Sequence, residues 1–192
     1  EIVQRAFEYY FYAAPAKEPV VKIVRPIRWS KPIAGWLKLN TDGSSLGNPG
    51  LAGGGGLIRN EEGGWVAGFA RKIGITTSFL AELWALRDGL KLCVNRSILA
   101  VEVELDAKSI VDVVANAKYS NIFASALLDD CRHLIQQIPQ IRFKHIFREA
   151  NRCADTLARM GGLQEDEFIV FESPPMDISI LLDFDLNGLY LN

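Results

Sequence analysis

Apolar and polar residues alternate from Trp36 to Asp42, and two short, largely apolar segments follow, each after a glycine-rich turn. The first segment reads W-L-K-L-N-T-D, the turn G-N-P-G-L-A-G-G-G-G leads into the second, G-L-I-R, and the third is W-V-A-G-F-A-R. A period of two is typical of β-strands that bury one face. The pattern therefore predicts a meander of three antiparallel strands, with Asp42 at the end of the first.

A helical period follows this meander. Four apolar side chains recur at helical spacing and predict a helix over about residues 78–94: Phe79, Leu83, Leu86 and Leu90. Thr77 or Ser78 can cap the start of this helix, and Glu82 then lies near its first turn.

The second half of the chain repeats the two patterns. Strict alternation in V-E-V-E-L-D predicts a fourth strand that ends at Asp106. Two helices are predicted next, over about residues 107–117 and 122–137. The segment I-R-F-K-H-I-F predicts a fifth strand that ends near Arg148, and Asn151 opens a final helix.

The predicted order is β-β-β-α-β-α-α-β-α. An antiparallel meander, extended by strands that follow helical crossovers, gives an α/β fold with a five-stranded mixed sheet and helices on its faces. We expect this domain to span residues 36–162. An N-terminal aromatic segment and proline-containing linker (1–35) precede it, and an acidic, apolar C-terminal tail (163–192) follows it.

Both flanking segments allow two interpretations. The run A-F-E-Y-Y-F-Y-A-A predicts a short aromatic helix that packs either on this domain's own core or on a neighbouring domain. The tail segment F-I-V-F-E-S-P-P-M-D-I-S-I-L-L-D-F-D-L either folds back on the domain through its apolar residues, which we favour, or docks on a partner.

Charge is distributed unevenly along the chain. All 21 lysines and arginines precede residue 163, together with 16 of the 23 acids, although the whole chain has a net charge of −2. A mildly basic body permits contacts with phosphate without requiring them.

Composition indicates an intracellular, soluble protein. No apolar run approaches the roughly 20 residues that cross a bilayer. No secretory leader precedes the three cysteines, which also lack C-x-x-C spacing. We therefore expect reduced thiols, no zinc site, no membrane association, and a monomer in the nucleus or the cytoplasm.

Four carboxylates are predicted at strand ends or in the first turns of helices: Asp42, Glu82, Asp106 and Asp155. Each alone has an ordinary explanation, respectively an Asx-type turn, compensation of a helix dipole, a polar strand face and an i, i+4 pair with Arg159. If the fold collects them, the like charges raise one another's pKa values and repel, so the set is best explained as a seat for hard divalent cations. The leading hypothesis is a metal-dependent phosphodiesterase.

The segments around these acids resemble the type 1 ribonuclease H domain, in the version found in plant proteins and in the reverse-transcriptase polyproteins of plant non-LTR retrotransposons. The similar motifs are N-T-D-G-S-S-L-G-N-P-G, T-T-S-F-L-A-E-L, V-E-L-D-A-K-S-I-V and R-E-A-N-R-C-A-D-T-L-A, in that order over about residues 36–162. The resemblance implies a ribonuclease H fold that cleaves the RNA strand of an RNA–DNA hybrid with two Mg²⁺ or Mn²⁺ ions. It also makes an upstream polymerase domain a possible partner of the aromatic segment.

The same resemblance assigns roles to individual residues. Asp42 matches the metal-bridging acid, Glu82 and Asp106 the next two ligands and Asp155 the fourth, so these four would be both catalytic and metal-binding. Six residues are candidates for substrate binding: Ser44, Asn48, Ser78, Lys108, Arg148 and Asn151.

Two of these candidates have alternatives. Asn48 matches a family turn that approaches the minor groove of the hybrid, where 2′-hydroxyls distinguish RNA from DNA, but G-N-P-G is also simply a good turn. Asn151 lies one helical turn before Asp155 and could cap the last helix, contact substrate or orient the metal ligands.

Several positions depart from the bacterial members of the family. Ser78 and Phe79 stand where those enzymes have two asparagines, Ala107 and Lys108 stand where they have Ser-Gln, and their basic handle helix is absent. The alternative function is therefore a catalytically weak or inactive retroelement-derived module that binds nucleic acid or protein.

The bacterial enzymes also carry a histidine on a flexible loop before the last helix. Here His145 lies in the predicted fifth strand, where it alternates with Ile141, Phe143 and Phe147. We expect a packed histidine rather than a mobile catalytic one.

Overall fold

The computed structural model describes residues 27–116 and 123–187. Six strands and five helices lie in these ranges: β1 (Leu37–Gly47), β2 (Gly50–Arg59), β3 (Trp65–Thr76), α1 (Ser78–Asn95), β4 (Ala100–Leu105), α2 (Lys108–Ala115), α3 (Ser125–Gln136), β5 (Gln140–His145), α4 (Arg152–Leu163), β6 (Phe168–Phe171) and α5 (Met176–Asn187). A 3₁₀ turn, Arg148–Ala150, joins β5 to α4. The aromatic helix predicted near the N-terminus lies outside the described residues.

The predicted element order is confirmed from β1 to α4, with some different boundaries. The helix predicted over 122–137 begins only at Ser125. The strand predicted to end near Arg148 ends at His145, because the 3₁₀ turn redirects the chain towards α4. In the described part of the chain, no helix is long and apolar enough to cross a membrane.

The sheet is mixed and has the strand order β5-β4-β1-β2-β3-β6. The β1–β2 and β2–β3 pairs are antiparallel, as the meander predicts, whereas β4 is parallel to both β1 and β5. Asn40 is the register partner of Glu104, so Asp42 and Asp106, two residues further along each chain, lie beside each other where β4 ends. The prediction that β1 ends at Asp42 is wrong, because β1 continues to Gly47 in its pairing with β2.

The predicted count of five strands is corrected to six. Phe168–Phe171, from the C-terminal tail, pairs antiparallel with β3, and the tail thereby folds back on the sheet. This four-residue run contains no polar residue, so no alternation marks it as a strand. It becomes one because the edge of β3 offers unpaired backbone groups.

Hydrophobic cores lie on both faces of the sheet. On one face, α1, α2 and α3 pack with the strands around buried residues such as Leu39, Phe69, Leu86 and Val103. On the other face, α4 and α5 pack on β2 through a smaller cluster: Leu57, Cys153, Ala154, Leu157, Ile178 and Leu182. The tail is thus part of the second core.

The glycines at positions 53–56 lie inside β2 rather than in the predicted turn, which is restricted to the end of the β1–β2 hairpin. A Cβ added at Gly55 would lie 2.2 Å from the backbone nitrogen of Ala158 in α4. Glycine at this position therefore lets α4 pack directly on the strand backbone.

Charged side chains are buried on the face that carries α4 and α5. Lys38 is fully buried and its Nζ lies 2.8 Å from Glu102 and 2.7 Å from Glu104. Close by, Arg59 pairs with Asp185 of α5 at 2.7 Å. Opposite charges compensate each other, as burial of ionised groups requires.

Candidate metal centre and nucleic-acid site

Three of the four predicted acids converge in the structure. Asp42 comes from β1, Glu82 from α1 and Asp106 from the residue that follows β4. One carboxylate oxygen from each lies within 4.8 Å of the others. Asp42 is almost completely buried at 5% exposure.

The approach of α1 to β1 depends on Gly43. A Cβ at this position would lie 2.2 Å from the backbone nitrogen of Glu82, so only glycine allows the contact. The glycine that follows Asp42 therefore serves the helix contact, rather than only a turn. This contact brings the Glu82 carboxylate to Asp42.

Burial and mutual repulsion make these acids difficult to ionise. Burial, followed by the negative charges of Asp106 and Asp155, raises the pKa of Asp42 to about 8. Burial and the charge of Asp42 raise the pKa of Glu82 well above its ordinary value. Burial also raises the pKa of Asp106, although the guanidinium of Arg148 opposes this effect. A divalent cation would relieve this repulsion.

An unpaired oxygen provides a direct test of whether a cation fits. Oε2 of Glu82 is buried and has no hydrogen-bond partner among the described residues. A buried acceptor without a donor is costly unless something else satisfies it. Carboxylate oxygens are the ligands that hard divalent cations prefer. The donor set and its unsatisfied oxygen therefore fit such an ion.

Asp155 lies outside the three-carboxylate cluster. Its Oδ1 is 2.9 Å from Nη2 of Arg148, and its Oδ2 is 2.9 Å from Nη2 of Arg159. The i, i+4 pair with Arg159, which is the ordinary explanation of this acid, is thus present. Asp155 is still near enough to help raise the pKa of Asp42.

Two predicted substrate-binding residues contact each other. The backbone N–H of Ser78 donates to Oδ1 of Asn48 at 3.2 Å, which joins the β1–β2 turn to the start of α1. Thr77 caps that helix, because its Oγ1 accepts from the N–H of Leu80. Asn48 and Ser78 are exposed at the same surface.

The other exposed candidates lie on different elements. Lys108 is the first residue of α2, two residues after Asp106, and Arg148 begins the 3₁₀ turn. Ser44 is half-buried in β1 and lines a small cavity together with Arg159.

Asn151 occupies the N-cap position of α4, but its side chain makes no capping hydrogen bond within the described structure. Its side chain is buried instead, and Nδ2 donates to the carbonyl oxygen of Thr41 at 2.9 Å. The capping interpretation is therefore wrong, because the side chain turns inward to β1. Asn151 fixes α4 beside Asp42, and its Oδ1 has no partner among the described residues.

His145 and Phe147 differ from the sequence prediction. Both side chains are exposed, because β5 ends at His145 and Ile146 is the residue that turns inward. Nε2 of His145 lies 3.0 Å from the carbonyl oxygen of Asp106, and since a carbonyl only accepts, this nitrogen carries the proton. The expected packed histidine is thus an exposed one beside the acids.

Comparison with known proteins identifies the family. The family model described as "Reverse transcriptase-like" matches residues 40–161, which is more than half of the chain. The chain belongs to the reverse transcriptase-like family. The Arabidopsis thaliana protein named "Putative ribonuclease H protein" is 37% identical over 167 residues, or 87% of this chain. The alignment spans only 27% of that longer relative.

Solved structures agree with this membership of the reverse transcriptase-like family. The N-terminal ribonuclease H domain of a Mycobacterium tuberculosis protein is 27% identical and has a TM-score of 0.63, over 66% of this chain and 93% of that chain. LC11-RNase H1, solved in complex with an RNA/DNA hybrid, is 30% identical with a TM-score of 0.60, over 65% and 94%. The resemblance to a plant-type ribonuclease H domain, and the ribonuclease H-like fold, are confirmed.

Proposed function

We propose that this domain hydrolyses the RNA strand of RNA–DNA hybrids with two divalent cations, Mg²⁺ or Mn²⁺. The observation that carries the proposal is the buried cluster of Asp42, Glu82 and Asp106, with its raised pKa values and its partnerless oxygen. The hybrid bound to LC11-RNase H1, a protein of similar fold, supports the choice of substrate.

The acids of the chain would hold the cations. The converging oxygens of Asp42, Glu82 and Asp106 would supply ligands, and Asp155 would complete the set. The resemblance assigns the metal-bridging role to Asp42. When bound, divalent cations supply Lewis-acid stabilisation of the charge that develops on the phosphate and its leaving oxygen.

Two arginines engage Asp155, so a cation that takes this carboxylate as its fourth ligand would compete with them. The side chains of Arg148 and Arg159 are 67% and 58% exposed. Asp155 is only 15% exposed, but both guanidinium groups reach water, so a cation can replace them without leaving a buried positive charge. Arg148, once released, is placed to contact a phosphate of the substrate.

Recognition of the RNA strand would come from the β1–β2 turn. The backbone N–H of Ser78 occupies Oδ1 of Asn48, which leaves the amide N–H groups of Asn48 as donors. A 2′-hydroxyl can accept such a hydrogen bond, whereas DNA has no oxygen at that position. Lys108 adds a positive charge for phosphate contacts.

A catalytically weak or inactive binding module is the second candidate function. Two arginines engage Asp155 in the structure, and the residues at 78, 79 and 107 offer fewer polar contacts than their bacterial counterparts. The description "Reverse transcriptase-like" favours an upstream polymerase domain as a partner, and such a domain could supply hybrid affinity.

A cleavage assay separates the two functions. Residues 1–192 are incubated with end-labelled RNA–DNA hybrid in Mg²⁺, in Mn²⁺ and in EDTA, alongside the Asp42→Asn variant. Metal-dependent shortening of the RNA strand that is absent in Asp42→Asn supports the enzyme. Binding without cleavage in either metal supports the module and contradicts the enzyme.

A further inference from the structure

Phe147 is a large apolar side chain on the surface beside the acid cluster. It is 61% exposed, although the alternation of β5 would have placed it on the core face. Water contact with an aromatic ring forfeits the free energy that burial would provide. Exposed apolar side chains are common, so the position and the rigidity of this one decide whether it has a function.

The backbone around Phe147 is held on both sides. The N–H of Ile146 donates to the carbonyl of Leu105 at 2.9 Å, which continues the pairing of β5 with β4 by one residue. The carbonyl of Phe147 itself accepts from the N–H of Ala150 at 2.9 Å. Its exposure is therefore fixed by the fold rather than by a loose loop.

The neighbours of Phe147 connect it to the acids. Its ring meets His145 edge-on, with centroids 6.0 Å apart, and His145 in turn contacts the backbone of Asp106. The next residue, Arg148, pairs with Asp155. Phe147 thus contacts His145 and directly precedes Arg148, and each of these two side chains contacts an acid of the candidate site.

We propose that Phe147 packs against a nucleotide next to the phosphate that the acid cluster addresses. This inference rests on the proposed function and names an apolar contact for the same substrate. Nucleotides offer aromatic base faces and apolar sugar edges, and aromatic side chains are the residues that proteins commonly place against them. Such a contact would supply affinity that the reduced set of polar contacts does not.

The contact has a recognisable salt signature. A phosphate contact releases counterions, so its loss changes the slope of log affinity against log salt concentration. An aromatic contact releases none, so its loss lowers affinity at every salt concentration equally. Phe147→Ala should therefore lower affinity without changing the salt slope, whereas Arg148→Ala, at the next residue, should change the slope.

The experiment measures hybrid binding in a protein that does not cleave. Fluorescence anisotropy with labelled RNA–DNA hybrid is recorded in Mg²⁺ over a salt series, with Asp42→Asn as the common background. We expect added Phe147→Ala to weaken binding by about 5-fold or more, with an unchanged salt slope and an unchanged melting temperature. Added Phe147→Trp should restore affinity, because a larger ring preserves the contact.

Leu99→Ala provides the matched control. Leu99 is similarly apolar and 68% exposed, but it precedes β4, whereas Asp106 follows that strand. Three results would each overturn the proposal: affinity unchanged by Phe147→Ala, equal losses of affinity in Phe147→Ala and Leu99→Ala, or failure of Phe147→Trp to restore affinity. Lack of cleavage by the unsubstituted chain would instead contradict the proposed function alone, because the affinity comparison requires no cleavage.

Discussion

Gly43 and Glu82 are in such close contact that a Cβ on Gly43 would lie 2.2 Å from the Glu82 backbone nitrogen. This contact joins β1 to α1, and it brings two carboxylates from distant parts of the chain together.

Gly43→Ala should therefore damage both stability and the metal centre. The added methyl group must push α1 away from β1, and such overpacking costs about 1–3 kcal/mol. Chemical denaturation measures this loss, and calorimetric titration with Mn²⁺ should show weaker binding.

Gly162→Ala is the control for the glycine experiment. Its added Cβ would meet its nearest neighbour at 3.5 Å, which is an ordinary contact, and α4 favours alanine over glycine. Equal effects of the two substitutions would show that the Gly43–Glu82 contact has no special importance.

Stability of the metal-free protein should depend on pH through Asp42. The Asp42 carboxyl has an unfolded pKa of roughly 3.9, and burial raises it to about 8 in the folded protein. Between these values the folded state binds more protons than the unfolded state, so stability falls as pH rises through this window.

Asp42→Asn removes this ionisation. In EDTA at pH 8 we expect the variant to melt at a higher temperature than the unsubstituted chain, by about 2–4 °C for each kcal/mol recovered. The difference should shrink as pH falls and disappear below about pH 3, where Asp42 is neutral in both states. A difference in melting temperature between the two proteins that stays the same at all pH values would contradict a raised pKa of Asp42.

Arg148 should compete with cations for Asp155 and also contact phosphate. In Arg148→Ala, calorimetry should show tighter Mn²⁺ binding at low salt, because Asp155 loses one positive partner. Hybrid binding should weaken, with a salt slope reduced by about 1. Arg159→Ala removes the other partner of Asp155. This variant therefore separates the effect of freeing Asp155 on Mn²⁺ binding from the effect of losing the Arg148 phosphate contact. An unchanged slope and unchanged Mn²⁺ affinity in Arg148→Ala would exclude both roles.

Asp185 should stabilise the domain from its C-terminal tail. The Arg59 guanidinium, only 1% exposed, pairs with Asp185 and stacks over Trp29 at 3.5 Å. Asp185→Ala leaves that charge buried without a carboxylate, which typically costs about 3–5 kcal/mol. Urea denaturation checks this value. The exposed Asp183→Ala in the same helix should change stability by less than about 0.5 kcal/mol, and a similar loss there would contradict the pairing argument.

The sequence predicts the element order because its two periodicities are clean. Alternation identifies β1 and β4, largely apolar runs beside glycine-rich turns identify β2 and β3, and the spacing of Phe79 to Leu90 identifies α1. It does not predict β6, since F-I-V-F carries no alternation and depends on the edge of β3. Nor does it predict that β5 ends at His145, where the chain leaves the sheet for the 3₁₀ turn Arg148–Ala150.

The sequence likewise predicts only part of the candidate site. Motifs point to Asp42, Glu82 and Asp106, and the fold brings these three together. Sequence alone could not show that Arg148 joins Arg159 at Asp155, that Asn151 turns inward to Thr41, or that Phe147 faces solvent. Each depends on contacts between elements that are distant along the chain, or on where a strand ends.

Cleavage of a labelled RNA–DNA hybrid tests the central claim most directly. We expect the chain to shorten the RNA strand in Mg²⁺ or Mn²⁺ and to leave it intact in EDTA, and Asp42→Asn to lose this activity while it retains a cooperative melting transition. An intact RNA strand in both metals, or full activity in folded Asp42→Asn, would contradict the claim.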